Sequence, residues 1–563
     1  MEEQAYEAEL DRQWARNWPV GLARTPIYPF GELTLGDYLT RWARLQPDKP
    51  AVVFYGAVTT YRELDEFSDR FAALLAAHGV RAGDPVCVFM PNCPQYHIVF
   101  HGILKLGAVH APVSPMSRAL ELAYQLRDTG ARVAVVLDQL MPVLREAEIA
   151  DVRTVFATSF ADVLPASPTI PVPPVLLAPR TPCADAIDLM PALVATDAFA
   201  GPPARDLDAV AALNYTSGTT GMPKGCVHTQ RDMIYTAATG GSIGLSLTSD
   251  DVMLNFVPEF WIAGEDLALI FPVFAGITLV LLARWDAVAF MMAVDRYKVT
   301  KAYALVDSIV EVMEHPDVGR HDLCSLDAVR VSSFVKKLSV AYRRQWQALT
   351  GGTLIEAAFG MTETQTFDTF TNGLQEGDRD LLSRPIFVGL PMPGTRFKVC
   401  DFNTGALLPV GAEGELCVST PSMFKGYWRN PDATALALCC GWLRTGDNGV
   451  IDADGYIHYL GRRKEMLKVN GMSVFPAEIE ALLGQHPDVA GSGVIGVAHP
   501  ERGEQPVAFI RLRDGAAPTE AEIEAWCRAN MSGFKVPRIV IVAELPLTAT
   551  GKVKKNELAA LLQ

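Results

Sequence analysis

The sequence predicts an α/β protein, with a large N-terminal domain of doubly wound sheets, a small β-subdomain and a small α+β domain at the C-terminus. Three observations support this. The 563 residues suggest two or more domains. Strand-length apolar runs alternate with amphipathic helical patterns up to about residue 370, which is typical of parallel sheets covered by helices. After that the elements become short. We expect an N-terminal domain at 1–461, a β-subdomain at about 387–460 and a C-terminal domain at 462–563.

The alternation begins near residue 34. "TLGDYLTRWARLQ" predicts a helix, "KPAVVFYG" a strand, "TYRELDEFSDRFAALLAAHG" a helix that ends at glycine, and "DPVCVFM" a strand. "PQYHIVFHGILKLGAVHAPV" predicts a helix and then a strand. Residues 165–203 contain ten prolines and little periodicity, which indicates a connector outside the core. The strand "VAALNY" then leads directly into a glycine-rich loop.

The later elements are also visible in the pattern. The apolar run 267–283 is too short for a comfortable membrane span and is interrupted by Pro272 and Gly276, so it predicts a buried helix, a turn and a buried strand. "VGLPMPGTRFKVCD", "GELCVST" and "GYIHYLGR" are short strands bounded by Gly and Pro. "FPAEIEALLGQ" predicts a helix with proline near its start, and "TEAEIEAWCRAN" opens with a capping box from Thr519 to Glu522.

Composition excludes several classes of protein. The net charge of −15 argues against a general nucleic-acid-binding protein, which needs a basic face. The ten cysteines are scattered without a Cys-x-x-Cys motif, which favours a reducing, cytoplasmic compartment. The acidic N-terminus lacks the pattern of a secretory signal. His97 and His101 have a spacing that can bind zinc, but no further ligands are evident, so we expect packing or surface roles.

The most informative stretch is "YTSGTTGMPKG", from Tyr215 to Gly225. Glycines let backbone N–H groups approach an anion closely, hydroxyl groups add donors and the lysine adds charge, so the loop is typical of a phosphate site. It is not a Walker loop, in which the lysine directly follows the second glycine and precedes Ser or Thr. The candidate phosphate-binding residues are Thr216, Ser217, Gly218, Thr219, Thr220, Gly221 and Lys224.

Four further motifs follow in order: "FGMTET", "WLRTGDNG", "LGRRKEMLKVNG" and "PLTATGKVKKNEL". Alone, a Thr-Glu pair is often a helix cap, an Asp before Asn-Gly is often a turn residue, and lysines are often surface charges, as we expect for Lys554 and Lys555. Together with the loop, the motifs resemble the adenylate-forming (AMP-binding) superfamily of acyl-CoA synthetases, luciferases and nonribosomal-peptide adenylation domains. The resemblance extends over more than half of the chain.

The resemblance implies a role for each nucleotide-site residue. Phe359 and Gly360 lie at the adenine, with Phe359 stacked near it. Thr362 touches the phosphate, and Glu363 holds Mg²⁺, which prefers hard carboxylate ligands. Asp447 accepts hydrogen bonds from both ribose hydroxyls, and Arg462 also contacts the ribose.

The resemblance also implies that the C-terminal domain is mobile. Lys464 is the hinge, and Lys552 is the catalytic lysine that binds the substrate carboxylate and the α-phosphate. Lys468 and Gly471 belong to the segment that reaches the active site in the second half-reaction. The implied reaction converts a carboxylate and ATP to an acyl-adenylate and pyrophosphate, and then passes the acyl group to the thiol of CoA. The implied cofactors are ATP, Mg²⁺ and coenzyme A.

The acyl-pocket segment is "NFVPEFWIAGED", where many relatives carry Pro-x-Phe-His. Trp261 replaces that histidine and either walls an apolar pocket or packs in the core. Amino-acid adenylation domains have an aspartate there, so an amino-acid substrate is disfavoured. The acidic residues Glu259, Glu265 and Asp266 lie in the same segment, so an acid with a cationic acyl group remains an alternative substrate.

Two more segments belong to the predicted pocket. The stretch before the Mg²⁺ motif, with Ala357 and Ala358, suits a hydrophobic tail or ring. In the stretch Ser332-Ser333-Phe334-Val335, the residues Ser333, Phe334 and Val335 are bulkier than the Gly/Ala-rich turn of relatives. We expect them to alter the adenine contact and to shorten or reshape the pocket. The acid itself is not specified by these residues.

The first expectation is an ATP-dependent ligase that joins a fatty or aromatic acid to CoA, because "EMLKVNGMSVFPAEIE" resembles CoA ligases. With a fatty acid it would serve fatty acid metabolism. The alternative is a stand-alone enzyme that loads an acid onto a carrier-protein phosphopantetheine. A luciferase-type oxygenase shares the motifs, whereas a non-catalytic regulatory protein would be expected to lose Glu363 or Lys552. We expect no membrane span, and a homodimer is common in the family.

Overall fold

The computed structural model describes residues 3–201, 203–216, 222–357, 359–383, 386–469, 472–500, 502–548 and 550–562. Within these residues the strands form four sheets. The strands of the two large sheets are β1 (Pro50–Phe54), β2 (Ala57–Thr60), β3 (Pro85–Phe89), β4 (Val109–Pro112), β5 (Val133–Leu137), β6 (Thr154–Thr158), β7 (Ile187–Asp188), β8 (Val210–Tyr215), β9 (Gly225–Thr229), β10 (Val252–Asn255), β11 (Thr278–Leu281), β12 (Lys301–Leu305), β13 (Ala328–Ser332) and β14 (Thr353–Glu356).

The helices of this region are α1 (Glu3–Asn17), α2 (Leu35–Leu45), α3 (Tyr61–Ala77), α4 (Pro94–Leu106), α5 (Ala119–Thr129), α6 (Met141–Glu146), α7 (Leu189–Ala195), α8 (Gln230–Thr236), α9 (Ile262–Gly264), α10 (Phe271–Ala275), α11 (Ala287–Tyr297), α12 (Val306–Glu314), α13 (Val340–Thr350) and α14 (Arg379–Leu382). Two π-helical segments, Ala237–Gly244 and Glu265–Ile270, extend α8 and α9.

The first sheet has the order β14-β13-β12-β10-β11-β1-β2 and the second the order β7-β6-β5-β3-β4-β8-β9. Every pairing in them is parallel except those of the edge strands β2 and β9. Helices connect the parallel strands, and apolar side chains from both sheets share one buried cluster. The predicted doubly wound α/β fold is confirmed.

The apolar run 267–283 forms buried helical turns, a turn at Gly276 and strand β11, as predicted. Gly276 has φ +72°, and a Cβ there would lie 2.3 Å from Cε2 of Trp42, so only glycine fits. The expectation that residues 165–203 stay outside the core is wrong. Strand β7 joins the second sheet, and Leu189 and Leu193 of α7 are fully buried. None of the helices in the described ranges is long and apolar enough to cross a membrane.

The third sheet, in the order β15-β16-β21-β20-β18-β17 with β19 beside β20, is antiparallel. Its core also takes up Tyr6, Leu10 and Trp14 of α1, a contact between the chain's first helix and residues almost four hundred positions away that the sequence pattern does not indicate. Its elements are β15 (Thr369–Phe370), β16 (Phe387–Pro391), β17 (Arg396–Cys400), β18 (Gly414–Ser419), β19 (Leu438–Cys439), β20 (Trp442–Ile451), β21 (Ile457–Arg462) and α15 (Pro431–Ala437).

The fourth sheet lies in the C-terminal part of the chain, and α16 and α17 pack on it. Thr519 and Glu522 form the predicted capping box at the start of α17. The elements are β22 (Leu467–Val469), β23 (Met472–Val474), β24 (Val489–His499), β25 (Gly503–Leu512), β26 (Arg538–Ile541), α16 (Pro476–Leu483), α17 (Glu520–Asn530) and α18 (Lys555–Leu558).

Candidate active site

The predicted site residues meet where strands of the first two sheets end. Strand β8 ends at Tyr215, β13 at Ser332 and β14 at Glu356, directly before the glycine-rich loop, the Phe334 segment and the Phe359 motif. In open α/β sheets, ligands bind outside the carboxyl ends of parallel strands. The third sheet contributes Asp447 and Arg462 to the same region.

The base of the glycine-rich loop is held by backbone pairing. Tyr215 faces Gly225 across β8 and β9, and the N–H of Thr216 donates to the carbonyl of Lys224 over 3.0 Å. The hydroxyl of Tyr124 donates to the carbonyl of Pro223 over 2.9 Å. Residues Ser217, Gly218, Thr219, Thr220 and Gly221, which carry most of the predicted phosphate contacts, lie outside the described residues.

Lys224 and Glu363 are joined through a tyrosine. Nζ of Lys224 lies 4.1 Å from the ring centre of Tyr427, and the hydroxyl of Tyr427 donates to Oε1 of Glu363 over 2.7 Å. Burial and the adjacent carboxylate raise the pKa of Tyr427, so this hydroxyl stays protonated and remains a donor. The same side chain, Tyr427, therefore contacts both the lysine of the loop and the predicted metal-binding carboxylate.

The predicted Mg²⁺ motif forms a short turn over Thr362–Thr364. The carbonyl of Thr362 lies 2.7 Å from Nε2 of the buried His228, and Asp232 lies 3.6 Å from the other ring nitrogen. Burial would raise the pKa of Asp232, but His228 and Lys425 outweigh it and lower that pKa. The buried carboxylate of Asp232 therefore stabilises His228, which in turn contacts the backbone of the motif.

Three residues after the motif have left-handed backbone conformations: Gln365, Thr366 and Phe367, with φ of 55°, 56° and 41°. Each such non-glycine conformation costs about 1–3 kcal/mol and persists only where the surroundings fix it. Here Asp266 accepts hydrogen bonds from the side chains of both Gln365 and Thr366. Gly360 is required as well, because a Cβ there would lie 2.5 Å from the backbone nitrogen of Phe367.

Asp447 and Arg462 face each other on β20 and β21. Nε of Arg462 lies 3.1 Å from Oδ1 of Asp447, but this oxygen has no hydrogen bond within the described part of the chain. Burial raises the pKa of Asp447 to about 6, although Arg462 opposes the rise. A buried carboxylate oxygen without a hydrogen-bond donor fits a ligand hydroxyl such as that of a ribose.

Phe359 is buried at the other side of these strands. Its ring contacts the rings of Phe397 and Tyr459, with centroids 6.0 and 6.1 Å apart, and its N–H donates to the hydroxyl of Thr369 over 2.9 Å. These contacts fix the start of the motif at the edge of the third sheet.

Lys552 extends into the site from the C-terminal part of the chain. Its Nζ lies 5.9 Å from the ring centre of Trp261 and 5.1 Å from that of Phe334. Partial loss of water around the ammonium group, and secondarily the charge of Arg462, lower its pKa, although the residue is exposed. The preceding Gly551 has φ +80°, and a Cβ there would lie 2.6 Å from Leu305. The structure thus brings three widely separated predicted residues together: Trp261, Phe334 and Lys552.

The unusual segment after β13 has two structural functions. The N–H and hydroxyl of Ser333 donate to the two oxygens of Glu356, over 2.9 and 2.5 Å. Burial nevertheless raises the pKa of Glu356 to about 7. Val335 is buried among C-terminal side chains instead of lining an acid pocket. The N–H of Ala357 donates to the carbonyl of Val331 over 2.6 Å, while Ala358 lies outside the described residues.

Lys464 lies in a short helical turn between the third and fourth sheets, and partial burial lowers its pKa. Lys468 is exposed on β22, and Gly471 lies outside the described residues. The expectation that Lys555 is solvated is wrong, because its Nζ lies 2.7 Å from Glu465 and 3.1 Å from Glu480.

The histidines of α4 are buried, in agreement with the expected packing role. Nε2 of His97 lies 2.8 Å from Oε1 of Glu259, and Nδ1 of His110 lies 3.0 Å from Oε2 of Glu265. Among the described residues no group of three or more side chains is arranged to hold a metal ion. Because these carboxylates have histidine partners, their charge does not require a cationic acyl group.

Tyr427, Glu356 and Phe367 lie in the site region although no sequence pattern marked them as site residues. Tyr427 lies in "KGYWRN", a stretch without a chemical signature. Phe367 is the third residue after the Mg²⁺ motif, but no local sequence pattern predicts three left-handed residues in a row.

The chain is similar to known proteins in sequence and in fold. Residues 39–428 match the family described as AMP-binding enzyme, and residues 478–552 match the AMP-binding enzyme C-terminal domain. The chain is 29% identical over 561 residues to a long-chain-fatty-acid–CoA ligase of Bacillus subtilis, and 31% identical over 564 residues to one of Escherichia coli O6:H1. Each alignment covers 98% of both chains.

Among solved structures, the fold is similar to that of the anthranilate CoA ligase AuaEII in complex with anthranoyl-AMP. The TM-score is 0.81 and the sequence identity 28%, over 95% of this chain and 98% of that one.

Proposed function

The chain belongs to the AMP-binding enzyme family, and we propose that it is an AMP-forming acid–CoA ligase that acts on a hydrophobic carboxylic acid, fatty or aromatic. The observation that carries this proposal is the position of Lys552, which approaches Trp261 and Phe334 with Arg462 and Asp447 nearby. A cation at this point can contact a carboxylate and a phosphate together. Relatives named as fatty-acid–CoA ligases, and the fold shared with an anthranilate CoA ligase, support the acid and acceptor classes.

The nucleotide would lie between the loop and the third sheet. In this proposal the loop from Thr216 to Lys224 binds the β- and γ-phosphates, and Phe359 lies near the adenine. Asp447 accepts hydrogen bonds from the ribose hydroxyls, for which its buried Oδ1, ion-paired with Arg462 but without a hydrogen bond among the described residues, is suited. Arg462, on the adjacent strand, would contact the same sugar.

Glu363 would hold Mg²⁺, with Thr362 at the phosphate. Its carboxylate is a suitable hard ligand, and Tyr427 fixes its orientation. When bound, the ion would neutralise charge on the phosphate oxygens.

In the first half-reaction, an oxygen of the acid's carboxylate bonds to the α-phosphorus of ATP as the bond to the β-phosphate oxygen breaks. The products are acyl-AMP and pyrophosphate. Both reactants are anionic, so the site must supply positive charge where they meet, and Lys552 supplies it. Trp261 and Phe334, whose rings lie within 6 Å of this ammonium group, would border the acid and help to hold it in line.

In the second half-reaction, the CoA thiol gives up its proton, its sulfur bonds to the acyl carbon, and AMP leaves. We place the domain boundary between residues 461 and 462 and the hinge at Lys464. Rotation about it would remove Lys552 and bring the segment of Lys468 and Gly471 to the site, as a hinge-type closure.

A panel of straight-chain, branched and aromatic acids tests the proposal. AMP release and thioester formation are measured with CoA and, in parallel, with a carrier protein that bears phosphopantetheine. We expect thioester formation with CoA. Thioester only on the carrier protein would favour the alternative, a stand-alone loading enzyme, and no AMP release with any acid would refute the proposal.

A cytoplasmic location and a homodimer complete the proposal. The location is supported by the ten cysteines, none of which forms a disulfide. Light scattering on the purified protein tests the dimer, and fractionation of the native cell tests the location.

A further inference from the structure

Two π-helical segments border the inner side of the site. Glu265–Ile270 continues from Trp261, whose carbonyl accepts a hydrogen bond of 2.8 Å from the N–H of Glu265. Ala237–Gly244 packs against α10, which continues that segment, because a Cβ on Gly241 would lie 3.4 Å from Cγ of Phe271. π-Helices are rare and occur frequently at functional sites. The helical stretch 262–275 therefore forms a wall that runs inward from Trp261.

The facing helix carries three glycines, which would leave an open groove along this wall. Three side chains fill it. A Cβ on Gly240 would lie 2.7 Å from Cγ of Phe367, and one on Gly241 would lie 3.4 Å from Cγ of Phe271. A Cβ on Gly244 would lie 3.0 Å from Cε of Met392 and 3.6 Å from Cδ1 of Phe367. The ring centres of Phe367 and Phe271 are 5.3 Å apart. Phe367 thus occupies the space beside Gly240, with Phe271 and Met392 beside the other two glycines.

The ring is fixed in this place. Asp266, from the wall itself, accepts hydrogen bonds from Gln365 and Thr366, directly before Phe367. The close approach of Gly360 to the backbone of Phe367 holds the segment from the other side. These contacts restrict movement of the segment, so the ring is held at this position beside the helical wall.

We propose that Phe367 closes the inner end of the acid pocket, so that the preferred acid is compact, with one aromatic ring or a short branched chain. Asp266 follows Trp261 by five residues on the same helical stretch and accepts hydrogen bonds from the two residues before Phe367, which ties the ring to the wall that begins at Trp261. A long straight chain would have to pass where the ring lies. This inference rests on the proposed ligase function and narrows its substrate.

The test compares benzoate, a short branched acid and hexadecanoate as substrates of the wild type and of Phe367→Ala. Acid-dependent pyrophosphate release gives kcat/KM for each. The wild type should prefer the compact acids to hexadecanoate by about 100-fold, and Phe367→Ala should reduce that ratio at least about 10-fold by gaining activity on hexadecanoate. Equal use of benzoate and hexadecanoate by the wild type, or an unchanged ratio in the variant, would overturn the inference.

The two proposals fail in different ways. No pyrophosphate release with any acid would refute the ligase function and this inference together, whereas release without a chain-length preference refutes the inference alone. Phe387→Ala removes a buried ring in the third sheet and should leave the ratio unchanged. If Phe367→Ala does not fold, Phe367→Leu must show a smaller shift in the same direction.

A second readout tests the contact without catalysis. Gly240→Ala should lower the melting temperature of the wild type, because its methyl group would meet Phe367, and should be better tolerated in Phe367→Ala. Equal losses in both backgrounds would contradict the filled groove.

Discussion

The hydroxyl of Tyr427 donates a hydrogen bond of 2.7 Å to Glu363, while the ammonium group of Lys224 lies 4.1 Å from the centre of the same ring. One side chain therefore orients the proposed metal ligand through its hydroxyl and supports the loop lysine through its ring. The two functions can be separated, because Tyr427→Phe removes the hydroxyl and keeps the ring.

Tyr427→Phe should raise the Mg²⁺ concentration needed for half-maximal pyrophosphate release by about 10-fold, since loss of a hydrogen bond to a metal ligand typically weakens metal affinity 10–100-fold. The KM for the acid should change little. Tyr456→Phe is the matched control, because its hydroxyl accepts from Arg379 at the far side of the third sheet. Identical Mg²⁺ curves for Tyr427→Phe and the wild type would show that Glu363 does not depend on this bond.

Lys552→Ala should separate the half-reactions. Loss of the cation that faces both reactants should lower acid-dependent pyrophosphate release by about 100–1,000-fold, the cost of removing one transition-state donor. Thioester formation from a supplied acyl-adenylate should remain within a few-fold of wild type, because the proposed rotation would remove Lys552 from the site in that step. Lys554→Ala is the control, since Lys554 pairs only with Glu557 among the described residues. Equal loss of both half-reactions would refute a two-conformation mechanism.

Asp447→Asn should stabilise the folded protein near neutral pH. The carboxyl titrates near 4 in an unfolded chain and at about 6 when buried here, so the folded state holds the extra proton between these values. Stability therefore falls as pH rises from about 4 to about 6 and stays reduced above that. The variant should gain up to about 3 kcal/mol in free energy of unfolding near pH 7, and the gain should vanish below about pH 4.

The same substitution should impair catalysis. An amide has one acceptor oxygen where the carboxylate has two, so kcat/KM for ATP should fall, by roughly 10–100-fold for one or two lost hydrogen bonds. In the wild type, kcat/KM should also decline below about pH 6, and Asp447→Asn should lack this decline. Asp454→Asn, an exposed residue of the same sheet that pairs with Arg16, is the control. An unchanged acidic limb in Asp447→Asn would assign that limb to another group, such as Glu356.

Local patterns predicted much of this molecule, and the reasons for success and failure are physical. Strands such as β8 and the turn at Gly276 follow from apolar runs and from glycine. Spaced motifs also predicted Glu363, Asp447 and Lys552 as site residues, because such motifs specify chemistry, and their roles stay predictions. Contacts made by tertiary packing carry no local signal: α1 covers the third sheet through three spaced apolar residues that would suit any surface helix.

In the candidate site, too, residues positioned by tertiary contacts could not be predicted from local patterns. Phe367 looks like an ordinary aromatic residue in the sequence, and its position depends on Asp266 a hundred residues earlier and on glycines of another helix. The prediction that residues 165–203 lie outside the core was wrong. The many prolines in this stretch obscured the pattern of a short helix whose two leucines are buried in the core.

The segment after β13, unusual in sequence, gives the last prediction. Val335 is buried among Val507, Phe509, Leu545 and Leu558, and a Cβ on Gly491 would lie 2.2 Å from its Cγ1. This contact holds the C-terminal part in the arrangement that presents Lys552.

Val335→Ala removes two buried carbons, each of which contributes about 0.8 kcal/mol, so it should destabilise this arrangement of the C-terminal part by about 1–2 kcal/mol. Acid-dependent pyrophosphate release should then slow by about 5–30-fold, while thioester formation from supplied acyl-adenylate stays at the wild-type rate or rises. Val331→Ala is the control, because that buried valine lies on β13 in the core of the large sheets and should lower overall stability without changing the ratio of the two rates. If Val335→Ala slows both half-reactions equally, the valine contributes only to folding, because an anchor of one arrangement must affect the step that uses it.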